Sequence, residues 1–147
     1  MTARIKKAVE TDAAGILAIE NICFSFPHTR EQLLREISSG NSIVLTAYEE
    51  DQVCGFVTAQ CVMDEGYIGD VAVAERSRRR GIGDALLKEL RREAERRQLS
   101  FVTLEVRESN APAIALYEKN GYKKISVMKD YYTQPKENAV IMTLLLQ

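Results

Sequence analysis

VAVAERSRRRGIGDALL, residues 71–87, joins a short apolar run to a segment with helical periodicity. The run 71–73 predicts a strand, and the leucines after Gly83 predict an amphipathic helix from Gly81 to Arg97. Glycines at 81 and 83 let backbone N–H groups converge without a Cβ in the way. Because the N–H groups and the dipole of a helix start favour phosphate, the segment predicts a diphosphate site. Positive charge is added there by Arg78, Arg79 and Arg80.

The kind of diphosphate is narrowed by motifs that the segment lacks. A P-loop requires GxxxxGK[ST], and a dinucleotide fingerprint requires a small residue where Leu86 stands. ATP and NAD are therefore disfavoured. An alternative stays open at this point, in which the arginines are solvated surface charges and the two glycines only form a turn.

Length and charge define the class of protein. The chain has 147 residues, 20 lysines and arginines against 21 aspartates and glutamates, and 46% hydrophobic residues. This size and apolar content fit one globular domain and disfavour a disordered chain. Residues 76–97 hold nine basic and four acidic side chains, so this block carries +5 and the other residues together carry −6. Such a block is either a solvated helix face or an anion site.

Hydrophobic periodicity predicts a single α+β domain over residues 1–147, with a mixed, largely antiparallel sheet flanked by helices. Thr29-x-x-Gln32 is a capping-box pattern, and Gly121 is expected to end the last helix. The predicted strands are Arg4 to Val9, Ser42 to Tyr48, Val53 to Val62, Tyr67 to Val73, Phe101 to Val106, Tyr122 to Tyr131 and Ala139 to Leu146. The predicted helices are one after Thr11-Asp12 that ends at Phe26-Pro27, then Thr29 to Ser38, Gly81 to Arg97 and Ala111 to Asn120.

Histidine and cysteine are sparse in this chain. With one histidine, His28, and three cysteines without a CxxC pair, a structural zinc site or a histidine-based triad is disfavoured, and no metal is expected. An odd number of cysteines suits a reducing compartment. Neither end carries an apolar stretch of the ~20 residues that span a membrane. We therefore expect a cytoplasmic protein that does not contact membranes.

Two motifs follow one another along the chain. The first is Arg78-x-x-Gly81-x-Gly83, after Val71-Ala72-Val73 and before Ala85-Leu86-Leu87. The second is Asn110-x-x-Ala113-x-x-Leu116-Tyr117-x-x-x-Gly121-Tyr122. In this order they resemble the acetyl-CoA loop and the second coenzyme motif of the GCN5-related N-acetyltransferases, the GNAT family. Within the family the chain most resembles the bacterial ribosomal-protein-alanine N-acetyltransferases, through Leu104-Glu105-Val106-Arg107, Ser109-Asn110, Ala115-Leu116-Tyr117-Glu118 and Asp130-Tyr131-Tyr132.

The resemblance implies a GNAT fold and transfer of an acetyl group from acetyl-CoA to a protein N-terminal α-amine. In the subgroup this amine is the alanine terminus of a small-subunit ribosomal protein. The pyrophosphate would sit on the backbone of the arginine-glycine loop, and the pantetheine arm would run beside the strand. The residues implied to bind the coenzyme are Val71, Ala72, Val73, Arg78, Arg79, Arg80, Gly81, Ile82, Gly83, Asp84 and Asn110.

Acetylation of an amine requires a proton acceptor and a proton donor, and two further residues suit these roles. A carboxylate such as Glu105 can take the proton of the amine, and a phenol such as Tyr117 can protonate the departing thiolate. The family pattern assigns those roles to the same positions. Direct attack requires no covalent intermediate, so no cysteine needs to be a nucleophile. By pattern alone, Glu105 also fits the solvent side of a strand, and Tyr117 also fits a packed core aromatic.

Substrate selection in the family implies a role for the loops 24–29 and 131–137. Phe26, Tyr131 and Tyr132 would line a channel for an N-terminal peptide, and packing at a strand end is the alternative for the two tyrosines. The chain departs from the subgroup at His28, where Trp is common, and at Lys129, where the pattern is more basic. Asp70 is either a second base or a strand-edge charge, and the role of His28 stays open.

Other functions remain compatible with the residues. One alternative is an acetyltransferase whose acceptor is a lysine or a small amine. Another is a protein that binds CoA without turnover. The block 76–97 would also suit RNA phosphates, although it lacks the interleaved aromatic residues that stack on bases. The expected partners are acetyl-CoA and an N-terminal peptide, without direct nucleic-acid binding.

Overall fold

A computed structural model describes residues 3–147, which form four α-helices and seven β-strands. The helices are α1 (Ala13–Cys23), α2 (Arg30–Ser38), α3 (Ile82–Arg96) and α4 (Ala111–Lys119). The strands are β1 (Arg4–Lys7), β2 (Ser42–Glu49), β3 (Gln52–Val62), β4 (Glu65–Val73), β5 (Phe101–Arg107), β6 (Lys123–Thr133) and β7 (Lys136–Leu145). Among these described residues, no helix is both long enough and apolar enough to cross a membrane.

All seven strands belong to one sheet, in the order β1-β2-β3-β4-β5-β7-β6. Neighbours are antiparallel except β4 and β5, which run parallel. These two strands pair only at their starts, from Glu65 with Phe101 to Tyr67 with Thr103. Beyond that point β4 stays paired with β3, and β5 stays paired with β7. The sheet therefore splits between the carboxyl ends of β4 and β5, and the predicted mixed, largely antiparallel sheet is confirmed.

A β-bulge in β4 directs Asp70 toward this split. Thr58 of β3 pairs with Asp70 and Ala59 pairs with Ile68, so Gly69 is the extra residue. A Cβ added at Gly69 would lie 3.0 Å from Thr58 Oγ1, the hydroxyl that accepts the Asp70 backbone N–H at 3.0 Å. Because a bulge bends the strand and re-aims nearby side chains, it brings the Asp70 carboxylate to the edge of the opening.

The helices cover both faces of the sheet. Ile43 and Leu45 of β2 belong to the core cluster that contains Leu86 and Leu90 of α3. Val44, which lies between them, belongs to a second cluster that is built with α1 and α2. This alternation follows from the two-residue period of a strand. The predicted apolar face of α3 is confirmed, since both leucines are fully buried.

Most element boundaries agree with the sequence-based expectation within a few residues. The capping box is confirmed, because Thr29 Oγ1 accepts the Gln32 N–H and Gln32 Oε1 accepts the Thr29 N–H. The first helix ends at Cys23 rather than at Phe26-Pro27, because the chain is already extended at Phe24. The last two strands are longer than predicted, since their hairpin stays paired up to Thr133 and Lys136.

Glu93 of α3 is held by three cations, and its replacement is expected to destabilise the fold. Arg96 and Arg97 donate to its carboxylate, and Lys7 Nζ lies 3.7 Å away. Burial alone raises the pKa of Glu93, but the hydrogen bonds from both arginines and the nearby positive charges lower it to about 2. Glu93→Gln should lower the free energy of unfolding at neutral pH by about 1–3 kcal/mol, the range for a hydrogen-bonded charged group.

The pH dependence of this effect has a fixed sign. A depressed carboxyl pKa stabilises the fold above the ordinary value of 4.5, and this contribution disappears as pH falls toward about 2. Urea unfolding of the wild type and Glu93→Gln should therefore converge in strong acid. Glu95→Gln is the control, because Glu95 is half-exposed in its pair with Arg91 and should change little. Equal unfolding free energies for wild type and Glu93→Gln at neutral pH would contradict this account.

Candidate active site

The split between β4 and β5 holds a cavity of about 410 Å³, here called the reaction cavity. It collects residues that are far apart in the sequence. Its wall is formed in part by Asp70 and Val71 of β4, Glu105 of β5, Asn110 and Tyr117 at α4, and Tyr132 of β6. The structure thus brings both predicted catalytic residues, two predicted coenzyme-binding residues and one predicted substrate-binding residue into one space.

Glu105 faces the reaction cavity because of its register in β5. Leu104 and Val106 are buried in the core, whereas Glu105 is exposed. Burial raises the pKa of the Tyr132 phenol, and the charge of Glu105 raises it further. The carboxylate therefore lies near the ring of Tyr132 and is accessible from the cavity. A group in this position can accept a proton from a bound amine.

Tyr117 reaches the same cavity from α4. Its ring packs edge-on against Tyr122, with the ring centroids 5.8 Å apart. Burial, followed by the charges of Tyr132 and Asp70, raises the pKa of Tyr117 to about 12. The phenol therefore keeps its proton at neutral pH and can donate it. Packing and a chemical role coexist here, because one edge of the ring is in the core while the side chain lines the cavity.

The start of α3 offers backbone donors to an anion. Gly81 has a φ of +78°, a left-handed conformation that favours glycine, and a Cβ there would meet nothing within 4 Å. The hydrogen bond from the Ala85 N–H to the Gly81 carbonyl begins the helical ladder. The N–H groups of residues 82–84 lie before it and point out of the helix end. This geometry fits a diphosphate, and the unpaired edge of β4 beyond Tyr67 fits an extended amide arm.

Side chains of the loop are less free than the sequence suggests. Arg78 Nε donates to the Val73 carbonyl at 3.1 Å, and Arg80 Nη1 lies 3.0 Å from Glu49 Oε2. Arg79 is exposed and has a φ of +66°. Asp84 accepts from Asn120 Nδ2 and pairs with Lys88, so its own contribution to an anion site would be its N–H. Ala72 and Ile82 are buried, so they too would contribute through the backbone.

Many charges of the basic block pair with acids on α3 itself. Arg91 pairs with Glu95, Arg92 with Glu89, and Arg96 with Glu93, each three or four residues away. Such pairs are neighbours on a helix surface. The excess positive charge relevant to a ligand is therefore concentrated at the loop before α3 and not along the helix.

A second cavity, of about 380 Å³, adjoins the reaction cavity and is here called the acceptor cavity. Phe26, Tyr131 and Tyr132 all line it, as do Asp70 and Arg107. Phe26 is 85% exposed. The two tyrosine rings pack edge-on with centroids 5.1 Å apart. The structure therefore brings the three predicted substrate-binding residues to one cavity next to Glu105.

Arg107 connects the end of β5 to the turn between β6 and β7. Its guanidinium stacks on the Tyr132 ring at 4.2 Å and donates to the carbonyls of Gln134 and Pro135. It also pairs with Glu137 at 3.2 Å. These contacts hold the β6–β7 turn over the end of β5. The turn is remote in sequence, so no local pattern around Arg107 predicts them.

His28 lies at the centre of a group of three carboxylates, here called the His28 cluster (Glu20, His28, Glu36 and Asp70). Nδ1 is 2.6 Å from Glu20 Oε1 and 3.6 Å from Asp70 Oδ2, and Nε2 is 3.0 Å from Glu36 Oε2. Glu20, His28 and Asp70 bring donor atoms within 4.8 Å of one another, as a metal site would. However, both ring nitrogens face carboxylate oxygens, which is the arrangement of a doubly donating imidazolium. The geometry therefore fits an ion cluster centred on a protonated His28.

Comparison with known proteins defines the class. Residues 13–122 match the model of the acetyltransferase (GNAT) family, and the chain belongs to that family. It is an acetyl-CoA-dependent N-acetyltransferase, as the resemblance of its two motifs implies.

Similar relatives carry a more specific name. The chain is 34% identical over 136 residues to the [ribosomal protein bS18]-alanine N-acetyltransferase of Escherichia coli K12, covering 91% of each chain. A putative enzyme of the same name from Bacillus subtilis is 33% identical over 135 residues, covering 89% of this chain and 87% of that one.

Solved structures show the same fold. The ribosomal-protein-S18-alanine N-acetyltransferase from Escherichia coli superposes with a TM-score of 0.90 and 31% identity, over 99% of this chain and 95% of that chain. NAA60 from Arabidopsis thaliana in complex with acetyl-CoA has the same fold, with a TM-score of 0.89, 20% identity, and coverage of 99% and 100%. The predicted family, fold and enzyme class are confirmed, whereas the roles of individual residues stay predictions.

Proposed function

We propose that this enzyme transfers the acetyl group of acetyl-CoA to the N-terminal α-amine of a protein, namely the terminal alanine of ribosomal protein bS18. The observation that carries the proposal is the junction of the two cavities. Glu105 and Tyr117 line the reaction cavity, and the exposed aromatic side chains of the acceptor cavity adjoin it. The names of the relatives support alanine as the terminal residue.

The coenzyme is proposed to bind along the split edge of β4. Backbone groups of Val71, Ala72 and Val73 would meet the amide arm, and Asn110 would border the thioester at the start of α4. The diphosphate would lie against the N–H groups of the loop and helix start, with charge from the arginines. The loop residues proposed for this role are Arg78, Arg79, Arg80, Gly81, Ile82, Gly83 and Asp84.

The amine must lose a proton before or as it attacks the thioester carbon. An N-terminal α-amine has a pKa of about 7.7–8.0, against about 10.4 for lysine, so a mild base is sufficient. Glu105 is proposed to accept this proton, directly or through one water molecule. The nitrogen then forms the new bond to the carbonyl carbon, and the neutral amide product has no charge to hold it in place.

The leaving thiolate requires a proton as its bond to carbon breaks. Tyr117 is proposed to donate it, because burial keeps the phenol protonated and the side chain lines the cavity. Attack and departure both occur on the bound substrates in a single complex. Cys23 lines the reaction cavity but has no role in these reaction steps, since no acyl group passes to the protein.

A peptide assay tests the proposal. With acetyl-CoA and a peptide that starts with alanine, the wild type should release free CoA and add one acetyl group, located by fragmentation at the α-amine. The same peptide with a blocked N-terminus and a free lysine should be a poor substrate, because the lysine amine is protonated at neutral pH. Preferential acetylation of the blocked peptide or of a small amine would instead support the other acceptor classes. Binding of CoA without turnover of either peptide would contradict the proposed acceptor.

A further inference from the structure

His28 joins three separate elements of the fold. Glu20 comes from α1, Glu36 from α2 and Asp70 from β4, while His28 itself lies in the loop between the two helices. Glu20 Oε2 also accepts the backbone N–H of His28 at 3.1 Å. The Glu20 side chain is fully buried and that of Glu36 is 10% exposed. Water therefore has little access to the two glutamates, whereas 23% of the His28 side chain and 27% of the Asp70 side chain stay exposed.

The charge of the cluster depends on the imidazolium. Burial alone lowers the pKa of His28, but the hydrogen bond and charge of Glu20, and then the charges of Glu36 and Asp70, raise it overall. Burial is also the main cause that raises the pKa of Glu36 and of Asp70. Without the cation, three partly or fully buried carboxylates would face one another, which is costly in a low-dielectric site.

The same cluster forms the boundary between the cavities. Asp70 lines the reaction cavity, the acceptor cavity and a third cavity of about 630 Å³, which His28 and Glu36 also line. The loop that carries His28 also supplies Phe24 and Phe26 to the wall of the acceptor cavity. Arg35 lines the outer side of the third cavity, with 70% of its side chain exposed.

We propose that His28 is a positioning residue for the acceptor peptide: its imidazolium ties the loop 24–29 to Asp70 of β4 and so holds the wall of the acceptor cavity in place. This inference rests on the proposed function, because it assigns the acceptor to that wall. The carboxylates of Glu20, Glu36 and Asp70 are the groups that face the ring from α1, α2 and β4.

The consequence is a pH dependence of acceptor binding. A raised histidine pKa keeps the imidazolium present through and above the ordinary value of 6.5, and the cation is lost as pH rises through the folded-state pKa. Loss of the cation should loosen the loop, so the KM for the peptide should increase above that pH. The KM for acetyl-CoA should not follow, since the arginine-glycine loop lies outside the cluster.

Because His28 is the one histidine of the chain, its titration can be followed without assignment. We expect the imidazole proton and carbon signals in NMR to titrate above 6.5 in the wild type, and at lower pH in Glu36→Gln, which removes one carboxylate. The pH at which the peptide KM rises should be lowered by the same amount in this variant. Glu31→Gln is the matched control, because Glu31 lies on the exposed side of α2. One peptide is used throughout, so its own ionisation cancels in the ratio of variant to wild type.

His28→Gln removes the cation outright. Its peptide KM should be raised about fivefold at neutral pH, the low end of the range for energetically linked sites, and should lose the pH-dependent step. A wild-type peptide KM in His28→Gln, or a shifted NMR titration in Glu36→Gln without a shift in KM, would overturn the inference. Absence of peptide acetylation by the wild type would overturn the proposed function as well, so the two failures are distinguishable.

Discussion

Glu105→Gln is expected to lower the kcat for acetylation of the alanine peptide by about 10²- to 10⁴-fold, the range for loss of a positioned general base. Glutamine preserves the size of the side chain and its place on β5 but cannot accept a proton. Because the side chain is exposed to the cavity and not part of the core, the fold should be unaffected. Steady-state release of free CoA at saturating acetyl-CoA and peptide measures the loss.

The pH profile separates a base from a group that merely binds the peptide. If Glu105 accepts the proton, the variant should regain part of its rate at high pH, where more of the free amine is present. The KM for acetyl-CoA should remain near that of the wild type. Glu118→Gln is the matched control, since Glu118 is exposed on α4 and does not line the reaction cavity. An unchanged kcat in Glu105→Gln would exclude the assigned role.

Tyr117→Phe is expected to lower kcat by about 10²-fold, the smaller of the effects found for loss of a general acid. Phenylalanine keeps the ring that packs against Tyr122 and removes only the hydroxyl. Binding of acetyl-CoA, measured by its KM, should therefore change little. Tyr67→Phe removes the same group from an exposed tyrosine of β4 and should leave the rate unaffected.

The raised pKa of Tyr117 leads to a second, independent prediction about the pH dependence of the wild-type rate. With a value of about 12, the phenol remains protonated throughout the neutral and mildly alkaline range. The rate of the wild type should therefore not decline in that range through titration of Tyr117. A Tyr117→Phe enzyme with a wild-type kcat would show that the thiolate receives its proton from water or from another residue.

Local sequence patterns determined the secondary structure of this protein and also several residues of its candidate site. The alternation around Glu105 in β5, the leucine spacing of α3 and the capping box at Thr29 depend on neighbouring residues, so their physical causes are readable directly from the sequence. The glycines before α3 similarly imply an anion site, because a left-handed residue and free N–H groups are local properties. The presence of Glu105 and Tyr117 in the family motifs was sufficient to select them as candidates.

Only the tertiary structure decided how these parts meet. The split between β4 and β5 arises because pairing stops after Tyr67, and no pattern within either strand specifies where two parallel partners separate. The bulge at Gly69 and the stacking of Arg107 on Tyr132 depend on partners from remote segments. His28 gave no signal as a lone histidine in a loop. Its importance comes from three carboxylates on three elements, whose mutual repulsion is balanced only when the folded chain places one cation among them.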